Sequence, residues 1–186
     1  MLENDTFSGN DRYYTNGFLF AWRAPSYDPP AWLERLTEGS GLFFPSGGVT
    51  RWGLSFGQKI YTPEDTLATN PDPKDRPYAA WLYGAVSLHS YTPRELGTLE
   101  LQLGVVGPSA LGEWVQNTTH DLMNIDRAYG WDYQIRDEPG INLVANRQWR
   151  INGAPDAGGR QFGLVPSLAA SLGNVHTYAA GGMLLR

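Results

Sequence analysis

The chain has 186 residues, 14 Lys+Arg against 19 Asp+Glu and a formal net charge of −5, with 41% hydrophobic, 13% aromatic and only 18% charged residues. That balance excludes intrinsic disorder and the clustered basic surface that nucleic acid demands. Cysteine is absent, which excludes disulfides, thiolate metal sites and a cysteine nucleophile, and the 22 Gly and 13 Pro favour short strands joined by turns within one domain.

In chain order, Phe18, Phe20 and Trp22 share one face opposite Leu19, Ala21 and Arg23. The long Pro-rich segment from Pro25 to Thr50 follows. From Arg51 to Ile60, Trp52, Leu54 and Phe56 alternate strictly with Arg51, Gly53, Ser55, Gly57 and Lys59. A second long connection, Thr62 to Pro77, leads to strands over Trp81–Leu88 and Leu99–Val105, joined by a short turn at Tyr91–Glu95. Ser109–Arg127 reads as the single helix, with Ser109 as its N-cap, Glu113 in an early turn and Gly130 beyond its end. A weak strand is expected around Asp132–Asp137, and further strands over Ile141–Ile151, Gln161–Leu172 and Thr177–Leu185. The total is seven strands and a weaker eighth.

Period-two alternation suits a soluble β-sandwich, such as a carbohydrate-binding module, as well as a membrane barrel. The two differ in where Trp52, Leu54, Phe56, Leu99, Leu101 and Leu103 point: into a core or out to lipid. Polar faces of Gly, Ser, Gln, Glu and Arg, aromatics at strand ends and connections of unequal length favour an antiparallel transmembrane β-barrel, with turns on one rim and functional loops on the other.

On the predicted helix Gln116, His120 and Asn124 recur every four residues, so the imidazole lies between two amides able to fix its tautomer. Near the N-terminus Asn4, Asp5 and Thr15 offer hard oxygen donors of the kind that Ca²⁺ prefers, although such residues also dominate ordinary turns. Asp72-Pro73-Lys74-Asp75-Arg76-Pro77 presents two cations suited either to a phosphate or to solvent. The Gly-x-Ser-x-Gly pattern occurs only at Gly53-Leu54-Ser55-Phe56-Gly57, within a strand and not at a strand-to-helix turn, so a serine hydrolase is weakly supported.

Glu3-Asn4-Asp5, Asp11 to Gly17, Gln58-Lys59-Ile60-Tyr61-Thr62-Pro63, Asp75-Arg76-Pro77-Tyr78-Ala79, Gly104-Val105-Val106-Gly107-Pro108 and Gln116-Asn117-Thr118-Thr119-His120, in this order, resemble the lipid A 3′-O-deacylases of Gram-negative outer membranes. The resemblance implies an outer-membrane barrel whose active site lies between the wall and a helix from an outward-facing loop, here Ser109–Arg127. It implies calcium-dependent removal of an acyl chain from lipid A of lipopolysaccharide, in the manner of secreted phospholipases A2. His120 would activate water, Asp5 with Asn4 and Thr15 would hold Ca²⁺, Lys74, Arg76 and Gln116 would face the substrate, and Asp126 would supply a further acid. About eight strands against the family's twelve lead to the expectation of a partial chain lacking signal peptide and closing strands. A non-enzymatic barrel, serving as a pore or structural element, is the alternative within the same architecture.

Overall fold

A computed structural model describes residues 2–4, 13–25, 29–38, 41–153 and 162–186. The strands are β1 (Leu2–Asn4), β2 (Tyr13–Arg23), β3 (Val49–Thr62), β4 (Ala79–Tyr91), β5 (Glu95–Val106), β6 (Glu138–Trp149), β7 (Ile151–Asn152), β8 (Gly163–Gly173) and β9 (Tyr178–Leu185). Two α-helices interrupt them, α1 (Ala31–Glu38) and α2 (Gly112–Met123). The strands form one sheet in the order β1-β2-β3-β4-β5-β6-β8, with β7 and β9 both paired to β8. Antiparallel register sets Asn4 opposite Asn16, Leu143 opposite Leu172 and Ala170 opposite Ala179. Because β6 and β7 both pair with β8, they act as one strand broken at Arg150, so the seven expected strands are all present.

The expected eighth strand is absent. Gly130–Tyr133 forms a 3-10 turn, and Gln134 N–H bonds the Trp131 carbonyl while Ile135 N–H bonds the Tyr78 carbonyl. Burial of the Trp131 ring against Tyr78, with centroids 4.8 Å apart, outweighs local strand propensity there. A second correction concerns the helices, because α1 lies inside the segment expected to be a loop. Its first turn is closed by Leu33 and Glu34 N–H groups on the Pro30 carbonyl. Eight residues are too few for a periodic signal to emerge from Pro-rich surroundings.

Connectivity also corrects the assignment of both long connections to one rim. Residues 24–48 enter β3 at its first residue, at the same end as the 92–94 turn, whereas residues 63–78 and 107–137 leave the opposite ends of β3 and β5. In that short turn Thr92 Oγ1 accepts from Arg94 and Glu95 N–H at 3.3 and 3.0 Å.

The chain divides into two compact units that share these strands. One comprises Trp22–Leu54, Ala85–Gln102 and Ile141–Arg186. Here burial is inverted relative to a water-soluble sheet: Leu101 is 42% exposed while its neighbour Gln102 is 7% exposed. Buried Asn142 likewise separates exposed Ile141 and Leu143. Asn142 donates to Gln102 Oε1 at 3.4 Å and accepts from the Val175 and His176 N–H groups, so the polar side satisfies itself. His89 belongs to this polar side through Ser87 Oγ and Thr98 Oγ1 at 3.0 and 3.1 Å. Leu54 is also exposed, while Trp52 and Leu99 are half-buried against Leu33, Phe44 and Leu88.

The other unit comprises Met1–Ala21, Ser55–Gly84 and Leu103–Gly140. Phe56 and Leu103 are about half exposed, and they share strand faces with buried Ile60 and half-buried Val105. Ile60, Tyr78, Ala80, Ala110, Ala128 and Trp131 form its core, with Leu82, Val105 and Val115 packed around them. Apolar side chains outward and polar ones inward rule out the soluble sandwich and its closed core.

Candidate active site between α2 and the strand wall

The segment that carries α2 is docked on the outward face of β3 and β4. Gln58, two residues from exposed Phe56 and therefore on its face, donates to the Ala110 carbonyl at 2.6 Å. Gly107, with φ of 113°, turns the chain out of β5, and a Cβ there would lie 2.7 Å from the Arg136 carbonyl carbon. At Gly112 a Cβ would lie 2.5 Å from Ala80 Cβ and 2.6 Å from Trp131 Cη2, so glycine is what allows the helix to touch the wall.

The helix itself is shorter than expected. It runs from Gly112 to Met123, preceded by a 3-10 turn at Pro108–Ala110. Its N-cap is Leu111 in the left-handed region and not Ser109, whose N–H and hydroxyl both donate to Asp137 at 2.8 and 2.7 Å. Those two bonds hold the Asp137 carboxyl below the usual carboxylate range. Asn124, at φ 55°, ends the helix.

His120 sits in the last turn, 3% exposed. Its Nδ1 lies 2.6 Å from the main-chain carbonyl of Asp126. A carbonyl only accepts, so in the neutral ring Nδ1 carries the proton and Nε2 carries the basic lone pair. The tautomer is thus fixed by a carbonyl and not, as the sequence pattern suggested, by Gln116 and Asn124. Asn124 is exposed at the cap, and the Asp126 side chain is exposed as well, while its main-chain carbonyl meets the imidazole.

Gln116, one turn before His120, is 1% exposed and accepts from Trp131 Nε1–H at 2.9 Å. That bond assigns the amide orientation, leaving Nε2 buried without a protein partner. The return from the helix is held by Asn117, which accepts from Ala128 N–H at 2.9 Å and donates to the Ala128 carbonyl at 3.3 Å. The 116–120 motif contains Asn117 without giving it a role, and nothing in the sequence joins Trp131 to this assembly, since each acts through a partner eleven to fifteen residues away.

Lys74 and Arg76 are exposed on the 63–78 connection. The loop is shaped by Asp75, which accepts from Glu64 N–H at 2.6 Å and Arg76 N–H at 2.7 Å, and by Asp72, which accepts from Lys74 N–H at 2.8 Å. Those backbone N–H groups hold the Asp75 carboxyl below the usual range, with the Arg76 charge adding to the effect. Tyr78, at the loop's end, is buried and donates its hydroxyl to the Thr66 carbonyl at 3.1 Å. Asp5 lies outside the described residues. Asn4 and Thr15 are placed by their backbones: Asn4 pairs with Asn16, the neighbour of Thr15, so the β1–β2 register brings these positions together. Amide, hydroxyl and carboxylate oxygens suit a hard cation. Among the described residues no group of three or more His, Asp or Glu is placed to hold a metal ion.

The sequence profile of the outer membrane protein LpxR family matches residues 1–186. The chain belongs to that family. As a member it is an outer-membrane protein, in keeping with its inverted faces. The solved structure of LpxR from Salmonella typhimurium is similar over 97% of this chain and 56% of its own, with a TM-score of 0.73 and 21% identity, which establishes the barrel-type fold. The chain therefore spans about half the length of that relative. No curated protein sequence matches it.

Proposed function

We propose that this protein is a lipid A deacylase that hydrolyses the 3′-O-linked acyl ester of lipopolysaccharide, with His120 as general base. The observation that supports this most directly is a buried imidazole with Nδ1–H held by a carbonyl, on a helix pressed against the lipid-facing wall of an outer-membrane protein. His120 Nε2 takes a proton from water as the water oxygen attacks the ester carbonyl carbon, and later returns it to the sugar oxygen, giving a free fatty acid and a sugar hydroxyl. The Asp126 carbonyl keeps the ring oriented and offsets the positive charge that develops on it. Gln116, whose amide is oriented by the bond from Trp131, would direct Nε2–H toward the substrate.

Lys74 and Arg76 meet the anionic part of the glycolipid, a local positive patch on a chain of net charge −5. Asp5, Asn4 and Thr15 would hold Ca²⁺, which supplies Lewis-acid stabilisation of the ester oxygen when bound.

The test is mass spectrometry of lipid A from cells expressing the protein or its variants. The expected result is loss of one 3′-linked acyl chain with the parent protein. His120→Ala should cut the rate by a factor of order 10² to 10⁴, as for removal of a general base. An unchanged rate in His120→Ala contradicts the mechanism, and no change in the acyl pattern with the parent favours a non-enzymatic barrel. Asp5→Ala and calcium chelation should act in the same direction.

A further inference from the structure

The side chains of α2 fall into stripes four residues apart. Gly112, Gln116 and His120 are buried on the side toward the wall. Glu113, Asn117 and Asp121 form the next stripe. Its two later members hold the returning chain, Asn117 through Ala128 and Asp121 through a two-pronged ion pair with Arg127 at 2.8 and 2.5 Å. The third stripe, Trp114, Thr118 and Leu122, is extended by Leu111 at the N-cap and lies on the side opposite the wall. Here the exposures are 53% for Leu111, 66% for Trp114 and 84% for Leu122.

A helix facing water would place its charged stripe outermost and its apolar one inward. This one buries Gly, Gln and His and exposes Leu, Trp and Leu. The wall beneath it belongs to the same compact unit and is exposed and apolar at Phe56 and Leu103, a surface that in an outer-membrane protein meets acyl chains. The stripe continues that surface outward from the strands. At 12 residues α2 is too short to cross a bilayer, and no described helix is long and apolar enough to do so.

We infer that the Leu111–Trp114–Thr118–Leu122 stripe is seated among the acyl chains at the margin of the bilayer, so that α2 is an interfacial helix with His120 on its sheltered side. Substrate then reaches His120 sideways from the leaflet, and the stripe sets the depth at which an ester passes it. The seating of the stripe rests on the outer-membrane placement of the family alone, while the route of the substrate to His120 rests on the esterase reading.

The natural chain has no cysteine, so single nitroxide labels report one site each. In protein reconstituted into phosphatidylcholine/phosphatidylglycerol vesicles, labels at Thr118→Cys and Leu122→Cys should rank with Leu103→Cys in accessibility to oxygen. Glu113→Cys should rank with water-exposed positions in accessibility to a soluble nickel complex. Thr118 and Leu122 ranking with Glu113 would overturn the inference. Both substituted side chains are exposed, so loss of folding does not cloud the result. A second reading uses Leu122→Glu, expected to slow deacylation of bilayer-embedded lipid A about tenfold while leaving detergent-dispersed substrate within about twofold. Equal effects on both substrates contradict it. An inactive parent protein with lipid-embedded labels refutes the deacylase proposal and leaves this one standing.

Discussion

Gly112→Ala is the smallest perturbation that separates α2 from its wall. The added methyl would sit 2.5 Å from Ala80 Cβ and 2.6 Å from Trp131 Cη2, about 0.9 Å short of the 3.4 Å at which ordinary contact begins. Neither neighbour yields easily. Ala80 is fixed in β4, and the Trp131 ring is held by Gln116 Oε1 at 2.9 Å and by Tyr78 at 4.8 Å. Overpacking of this kind costs roughly 1–3 kcal/mol. Alanine recovers up to about 1 kcal/mol in helix propensity, and less at a first-turn position, so the net effect should be a loss of about 1–2 kcal/mol. The assay is urea unfolding in lipid vesicles, followed by deacylation at a temperature where the barrel remains folded. A double-mutant cycle isolates the steric cause. Trp131→Phe removes the indole atoms that crowd the new methyl, leaving only the Ala80 clash, so Gly112→Ala should cost at least about 0.5 kcal/mol less in that background. Additive effects, or a Gly112→Ala protein as stable and active as the parent, would refute this account of why glycine stands there.

Asp126→Asn should leave deacylation within about twofold, since its exposed side chain does not touch His120 and surface changes stay within roughly 0.5 kcal/mol. Asn117→Ala removes both bonds to Ala128 and should lower the rate through a displaced Asp126 carbonyl, with kcat falling more than KM rises. Asp75 titrates below its unfolded value, so its contribution to loop order is complete above about pH 4 and is lost as pH falls through the lower folded value. Protection of the Glu64 and Arg76 amides, measured against the exchange of an unstructured amide at the same pH, should therefore be flat from neutral pH down to that point and fall below it. Asp75→Asn, with one acceptor oxygen instead of two, should raise exchange at one of these amides at every pH.

Much of the barrel was legible because lipid imposes a rule that sequence records directly: one face of each strand must be apolar over its whole membrane depth. Trp52 to Phe56 and Leu99 to Val105 carry that rule without interruption, and β3 and β5 extend only a few residues past the limits the pattern gave. Where the same residues serve a different neighbour, the pattern misleads. Gln58 continues the lipid-facing parity of β3 yet is buried, because the 107–137 connection folds back over it. Trp131 and Tyr133 alternate as a strand would, yet one is buried and the other exposed for reasons that lie in Tyr78 and Gln116. His120 was legible as a residue type on a helix, but its hydrogen-bond partner was not, because a carbonyl has no letter in the sequence. Lys74 and Arg76 were legible as cations, whereas the backbone bonds by which Asp72 and Asp75 shape their loop were not.

The dependence of His120 on the main chain at Asp126 also bears on how such a site changes over evolutionary time. A side-chain orienter is lost by a single substitution, while a carbonyl is present whatever amino acid occupies the position. Drift at position 126 is therefore tolerated, and the loop is free to vary in charge to suit different lipid headgroups. What selection must preserve is the number of residues between His120 and that carbonyl. An insertion or deletion within the 121–125 segment would part the imidazole from its carbonyl more surely than any exchange of letters there.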